Sequence, residues 1–143
     1  MKAEETIDFH IKLAWHKIIK WYNAAASEFG GTMAIGYVLL NIDKEHGTPS
    51  TKLGPSMGIE STSLVRVLKS MEEKGLICRK PTREDKRKVI ISLTELGKEK
   101  RLLAKEVVVK LNSEIQGQLS NEELSSFFNV MNKINNHLNT IKS

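Results

Sequence analysis

The chain has 143 residues, of which 40 % are hydrophobic and 27 % are charged, and its formal net charge is +5. This length suffices for one hydrophobic core and is short for two. The N-terminus is charged and the longest apolar runs are far shorter than the ~20 residues of a membrane span, so we expect a soluble, cytoplasmic protein without a signal peptide or membrane contact. A single cysteine, Cys78, excludes an internal disulfide and a four-cysteine metal site.

The first predicted element is a long amphipathic helix from about Thr6 to Phe29, which Gly30 and Gly31 end. Its apolar residues recur at spacings of three and four, the period of one helix face; they are Ile7, Ile11, Ala14, Ile18, Tyr22, Ala25 and Phe29. Trp15 and Trp21 lie off this stripe, so the apolar surface is wider than one neighbour would cover. Either a second partner covers it or the aromatic residues complete a local core.

Two shorter helices are predicted next. Thr32 has the side chain of a helix cap, and an apolar face follows it before Gly47, formed by Ile35, Val38, Leu39 and Ile42. Thr48-Pro49 reads as the start of a short third helix that Leu53 and Met57 anchor. Pro55 would remove a hydrogen bond one turn into that helix, so we expect a late start or a distorted turn.

The fourth predicted helix begins at Glu60 or Ser61, with Ser61 the better cap, and buries Leu64, Val67, Leu68 and Met71. Its other side carries hydroxyls and cations, and acids follow only at Glu72 and Glu73; the residues are Ser61, Thr62, Ser63, Arg66, Lys69 and Ser70. A helix N-terminus favours anions, and short side chains allow close approach to base edges. We therefore expect this helix to enter the major groove of DNA.

A β-hairpin is predicted after Lys74-Gly75, with strands at Leu76 to Cys78 and Val89 to Leu93. From Arg79 to Lys88, six basic residues stand against two acids, so about +4 of the net charge lies in ten residues. We expect the cations of this segment to reach the DNA backbone or minor groove; those chosen as candidates are Arg79, Arg83, Lys86 and Arg87. A solvated charged loop is the alternative reading.

Two further amphipathic helices end the chain. Thr94 can cap the first, which runs to about Gln116, and Ser120 to Glu123 fit a capping box for the second. The last helix carries a full apolar stripe with little chain left to cover it, formed by Leu124, Phe127, Phe128, Met131, Ile134, Leu138 and Ile141. We expect a second subunit to cover that stripe, with packing inside the chain as the alternative.

Specific residues accompany this order of elements. They are Leu53 with Gly58-Ile59, Leu64-Val65-Arg66, Lys74-Gly75-Leu76-Ile77 with Arg79, Asp85-Lys86-Arg87, and Ser92-Leu93-Thr94 with Gly97. On these residues nearly the whole chain resembles the MarR family of winged helix-turn-helix transcriptional regulators. Gly54, Pro55 and Glu60 depart from the usual family pattern, which leaves the limits of the third helix and one residue of register in the fourth open.

The resemblance implies a mainly α fold in one domain, residues 1–143. Residues 32–94 would form the winged helix-turn-helix DNA-binding region with its hairpin wing, and residues 1–30 and 95–143 the helical dimerisation region. It also implies a homodimer that binds double-stranded DNA at a pseudo-palindromic operator. We expect a repressor, with an activator as the alternative. In this family pattern, Asp85 braces the wing by pairing with an arginine, and Arg87 lies nearest the DNA.

The resemblance further implies a small-molecule pocket between the two regions. Aromatic residues of the first helix could line such a pocket for a small aromatic ligand or fill the subunit interface instead; they are Trp15, Trp21, Tyr22 and Phe29. A winged-helix module that binds another protein is an alternative to a DNA-binding regulator.

Enzyme chemistry has little support in the sequence. There is no phosphate-binding glycine loop or nucleophile elbow, and the four histidines are scattered without a metal-ligand spacing, so we predict no catalysis, metal or cofactor. Cys78 could sense oxidation because Arg79 and Lys80 favour its thiolate, but its place in a predicted strand without a resolving cysteine favours a structural thiol.

Overall fold

The computed structural model describes residues 1–28, 30–82 and 88–141. The chain forms two compact units, Met1–Val107 and Val108–Ser143. In chain order, the main elements of the described residues are α1 (Ile7–Ser27), α2 (Met33–Asn41), β1 (Thr48–Pro49), α3 (Ser61–Glu73), β2 (Ile77–Pro81), β3 (Val89–Leu93), α4 (Glu95–Gln116) and α5 (Asn121–Thr140). The predicted fold class, mainly helical with a small antiparallel sheet, is confirmed.

The hydrophobic core of the first unit is built from α2, α3, the sheet and the segment around Leu53. Its buried residues are Ile35, Val38, Leu39, Ile42, Leu53, Leu64, Leu68, Met71, Leu76, Ile77, Ile91 and Leu93. The apolar stripes predicted for α2 and α3 therefore do face the core, apart from Val67, which is half-buried against it. Burial of these stripes fixes the rotation of α3 about its axis and so determines which side chains it presents to solvent.

Side chains and glycines mark the predicted helix ends. The Thr32 hydroxyl accepts a hydrogen bond from Ile35 N at 3.3 Å at the start of α2. The predicted capping box of α5 is present, with Ser120 Oγ accepting from Glu123 N and Glu123 Oε1 accepting from Ser120 N. At the end of α3, Gly75 has a φ of +73°, which a residue with a side chain rarely adopts. Ser61 is not the cap of α3, because Glu60 holds that position.

The prediction of a third α-helix starting at Thr48-Pro49 is wrong. These two residues form β1, which pairs antiparallel with β3 through Thr48 opposite Ile91 and Pro49 opposite Ile90. The strand order is β1-β3-β2, so Pro49 lies on a sheet edge, where its missing N–H breaks no internal ladder. Gly47 allows this pairing, since a Cβ there would lie 2.6 Å from Ser92 Oγ.

Two single 3-10 turns, Ser50–Lys52 and Pro55–Met57, replace the expected helix. Gly54, between them, has a φ of +111°. Pro55 begins the second turn, where its missing N–H costs nothing. The late start expected from this proline is therefore present, but in a 3-10 turn instead of an α-helix. Leu53 is buried and Met57 packs against the core, as predicted for the two anchors.

The turn after α2 is fixed by Asp43. Its Oδ1 accepts hydrogen bonds from His46 N at 2.8 Å and Glu45 N at 2.9 Å, and its own N–H donates to Thr48 Oγ1 at 2.8 Å. The backbone N–H of His46, followed by that of Glu45, lowers the pKa of the Asp43 carboxyl. Because Thr48 belongs to β1, this turn ties the end of α2 to the sheet.

Helix α4 starts in direct contact with the turn that follows α3. The Thr94 hydroxyl donates to Gly75 O at 2.6 Å and accepts from Gly97 N at 3.0 Å, while Thr94 N donates to Leu76 O at 3.0 Å. A Cβ on Gly97 would collide with the carbonyl oxygen of Leu76. Glycine at 97 is therefore required by the close approach of two backbones rather than by its own conformation.

The two terminal helices contrast with this core. Neither α1 nor α5 contains a buried residue, although both are described over their whole length. Large apolar side chains of α5 are exposed, among them Phe127 at 53 % and Phe128 at 54 %. The described residues of the apolar stripes predicted for these helices are thus either exposed or half-buried.

Candidate nucleic-acid interface

Helix α3 presents a polar face to solvent because Leu64, Leu68 and Met71 bury the opposite face. Four of the six candidate residues on this helix are exposed, namely Ser61, Thr62, Arg66 and Lys69. Ser63 and Ser70 are half-buried and lie at the border of the exposed face. The structure therefore brings the four exposed residues together on one surface and leaves the two serines at its margin.

The charge on this face is positive. Within α3, which the structure describes completely, the first acid is Glu72, in the last turn. Glu60 stands at the N-cap, but its side chain makes no capping hydrogen bond, so the first-turn N–H groups keep their capacity to donate. An arginine guanidinium can bind guanine through two hydrogen bonds, and a lysine ammonium can bind phosphate or guanine.

The turn before α3 is attached to α2 by Tyr37. Its hydroxyl donates to Met57 O at 2.9 Å, and Ile59 N donates to Gly54 O at 3.0 Å within the turn. Gly58 ends this turn with a φ of +75°. These bonds fix where α3 begins relative to the core, although the sequence gives no periodic signal for them.

The wing is an antiparallel pair of strands, β2 and β3, in the register Ile77 opposite Leu93 to Pro81 opposite Val89. Beyond the strands, Thr82 N donates to Lys88 O at 3.1 Å. Arg79, Lys80 and Lys88 are exposed on this wing. Four candidates lie outside the described residues, namely Arg83, Lys86, Arg87 and the predicted brace Asp85.

Within the described part of the wing, an ion pair connects β2 to α3. Arg79 Nε lies 3.4 Å from Glu72 Oε2, with the two side chains 39 % and 47 % exposed. Arg79 was predicted only as a DNA contact, whereas the structure gives it a partner within the chain. The guanidinium can still contact a phosphate while it pairs with Glu72, since it has five donors.

The aromatic candidates on α1 are only partly brought together. Trp21 and Tyr22 are half-buried, and their rings meet edge to face with centroids 5.5 Å apart. Trp15 is 48 % exposed, and Phe29 lies outside the described residues. A half-exposed indole on this helix is consistent with either of the predicted roles, pocket or interface.

Sequence reasoning passed over three residues of this surface. Val65 is 64 % exposed on α3, although helical spacing from the buried Leu64 and Leu68 was sufficient to place it on the outer face. Glu72 and Tyr37 act through contacts with distant residues, for which the sequence carries no local signal. Glu72 connects α3 to the wing, and Tyr37 connects the turn before α3 to α2.

The described ranges meet the requirements of neither a metal site nor a membrane-spanning helix. Within residues 1–28, 30–82 and 88–141, no group of three or more His, Cys, Asp or Glu side chains could hold a metal ion. Among the helices of the same ranges, none combines the length and the hydropathy of a membrane span. Cys78, in β2, is half-buried.

Comparison with known proteins gives one consistent result. Residues 32–89 match the model of the MarR family. The organic hydroperoxide resistance transcriptional regulator of Bacillus subtilis (strain 168) is 35 % identical over 118 residues, which are 82 % of this chain and 77 % of that protein.

Solved structures show the same fold at lower identity. The S. aureus MepR–DNA complex superposes with a TM-score of 0.83 at 18 % identity, covering 92 % of this chain and 98 % of that one. The PcaV transcriptional regulator from Streptomyces coelicolor, solved with its natural ligand, gives a TM-score of 0.83 at 17 % identity, covering 95 % and 96 %. The chain belongs to the MarR family of transcriptional regulators.

Proposed function

We propose that this regulator is a homodimeric repressor that binds a pseudo-palindromic operator in double-stranded DNA. The observation that carries this proposal is the exposed face of α3, where Arg66 and Lys69 stand beside Ser61 and Thr62 with no acid before the last turn. Base edges in the major groove offer acceptors to these donors, and the phosphates offer negative charge to the cations.

The wing supplies the second contact in this proposal. Arg79, Lys80 and Lys88 would bind phosphates next to the groove that α3 enters, and Arg83, Lys86 and Arg87 would extend that contact, with Asp85 bracing them. The ion pair between Arg79 and Glu72 supports a fixed distance between helix and wing. In this arrangement the helix would recognise the base sequence, and the wing would bind the DNA backbone.

A second copy of the chain is the proposed cover for the terminal helices. Both α1 and α5 carry apolar stripes without a buried residue, and apolar surface of this extent favours association. Two copies related by a twofold axis would present two α3 helices, which matches a pseudo-palindromic site. A small aromatic ligand bound near Trp15, Trp21 and Tyr22 would relieve repression by changing the spacing of the two helices.

Two relatives give this proposal its context. MepR was solved in complex with DNA, and PcaV was solved with its natural ligand. Because their identity to this chain is below 20 %, they support the fold alone. The proposal therefore rests on the residues of this chain. As a regulator of this family the chain is not an enzyme. We propose that it acts in the cytoplasm, where its operator DNA would be.

The test is a salt titration of binding to duplexes selected from fragments of the source genome. We expect affinity to fall steeply with salt, because cations on α3 and the wing displace counterions from phosphates. Arg66→Ala should weaken binding by roughly ten- to hundredfold and relax the preferred sequence, since a lost bidentate contact is worth about 1–3 kcal/mol. Lys105→Ala, which removes an exposed cation on α4, is the matched control and should bind nearly as the wild type does.

The competing function, a winged-helix module that binds another protein, makes the opposite prediction. A flat response to salt, or no shift of any duplex at low ionic strength, would contradict DNA binding. Repression itself is tested with a reporter gene behind the selected operator, where deletion of the regulator should raise expression.

A further inference from the structure

We infer that Val65 is a specificity-determining residue, whose side chain contacts the C5 methyl group of a thymine in the major groove. The inference rests on the proposed function and adds to it, because it names one base that α3 requires.

The placement of Val65 is the first argument. Its side chain is 64 % exposed, and helical spacing puts it between Ser61 one turn before and Lys69 one turn after. Thr62 and Arg66 form the parallel row beside it. Within α3, all of whose residues the structure describes, Val65 is the single aliphatic residue that is exposed rather than buried or half-buried.

Folding of the chain does not account for a valine at this place. The side chain belongs neither to the buried core cluster nor to the partly buried apolar residues that pack against that cluster. A β-branched residue also has a lower helix propensity than alanine or the long polar residues. A lone exposed apolar residue is ordinary on a protein surface. Here, however, it lies in the middle of the face that would meet base edges.

The chemistry of the groove supplies the partner. Thymine is the base that presents a methyl group in the major groove, and apolar side chains bind it by excluding water. Valine has one strongly preferred χ1 rotamer in a helix, so its two methyl groups are held in fixed positions. Its short side chain also lets the helix backbone come close to the bases. A cytosine in the same place would offer no methyl group for this contact.

The experiment compares thymine with 2′-deoxyuridine, which keeps the same base pair and lacks the C5 methyl. The full chain selects its preferred duplex from a randomised pool, and each thymine of that duplex is then replaced singly, in both half-sites together. We expect one replacement to weaken wild-type binding by about fourfold per half-site, the value of one buried methyl group. Val65→Ala, which removes the two γ methyl groups, should discriminate less between the thymine and deoxyuridine duplexes.

Two variants control for other causes. Val65→Ile keeps the β-branched side chain and should keep the preference for thymine. Lys69→Ala removes a neighbouring cation and should weaken binding to both duplexes by the same factor, leaving the preference intact. Circular dichroism tests whether every variant is folded. We expect all of them to fold, because both substituted residues are exposed.

Distinct results would overturn the inference. If Val65→Ala keeps the wild-type preference at every thymine, or if no thymine matters to the wild type, Val65 does not read a methyl group, although DNA binding stands. If the chain binds no duplex at low salt, the proposed function fails and this inference fails with it.

Discussion

Residues 32–94, named the reading region because we propose that they bind DNA, differ from the terminal helices α1 and α5 in the burial of their apolar residues. Both have the spacing of amphipathic helices, yet Val38 and Met71 of the reading region are completely buried, whereas Phe127 and Phe128 of α5 are more than half exposed. An apolar stripe predicts that a surface will be covered; it does not identify what covers it. In the reading region the cover comes from the same chain. In the terminal helices the proposed cover is a second copy.

A substitution at Gly97 should have the largest effect, because it would force the start of α4 away from Leu76, a buried residue of the reading region. Gly97→Ala would push a methyl group into the carbonyl of Leu76, which also accepts the N–H of Thr94. We expect a loss of about 2–3 kcal/mol in the free energy of unfolding, measured by urea denaturation.

Gly36→Ala is the matched control for that substitution. A Cβ on Gly36 would lie 3.6 Å from Ala104 Cβ, an ordinary contact, and alanine is the better helix former inside α2. This variant should be as stable as the wild type or more stable by up to about 1 kcal/mol. Equal destabilisation by both substitutions would show that the contact at Leu76 is not the cause.

A substitution at Phe128, on the exposed apolar stripe of α5, should have a smaller effect, and that effect should be on dimerisation rather than on folding. Phe128→Ala removes an exposed ring from α5, so the core of the reading region is untouched. We expect the dissociation constant of the dimer to rise roughly tenfold, measured by sedimentation over a range of protein concentrations. If the wild type sediments as a monomer at every concentration, the homodimer is contradicted and the apolar face has another partner.

The smallest expected effect concerns Asp43, in the turn between α2 and β1. Its pKa is lowered in the folded chain, mainly by the backbone N–H of His46, so the stability it contributes is present above the unfolded value of 3.8. That contribution is lost as the pH falls through the lower folded value. The difference in stability between wild type and Asp43→Asn should therefore shrink below about pH 4. A difference that is constant down to acid pH would contradict this role.

Most of the helical framework could be predicted from the sequence, because each helix combines a regular apolar period with a local end signal. Thr32 and Ser120 cap their helices as predicted, and Gly75 ends α3. These signals act within a few residues of one another. They require no knowledge of the rest of the fold.

The errors arose where distant residues decide the structure. A strand of two residues has no period, so Thr48-Pro49 resembled a helix start until its pairing with Ile90 and Ile91 was visible. The ion pair of Arg79 with Glu72 likewise depends on how the wing packs against α3. For the site, residue chemistry predicted the cations and hydroxyls of α3, whereas the exposed Val65 has no charge or polar group that would indicate a DNA contact.

The short strand β1 also bears on whether the sheet can pair with another chain. An open sheet edge can pair with another chain and begin aggregation. One edge of this sheet carries Pro49, which has no N–H to donate, and the other edge, β2, carries Arg79, Lys80 and Pro81. Prolines and positive charges of this kind discourage strand addition from either side. A regulator that is proposed to pair through its helices thus has a sheet that resists pairing through its strands.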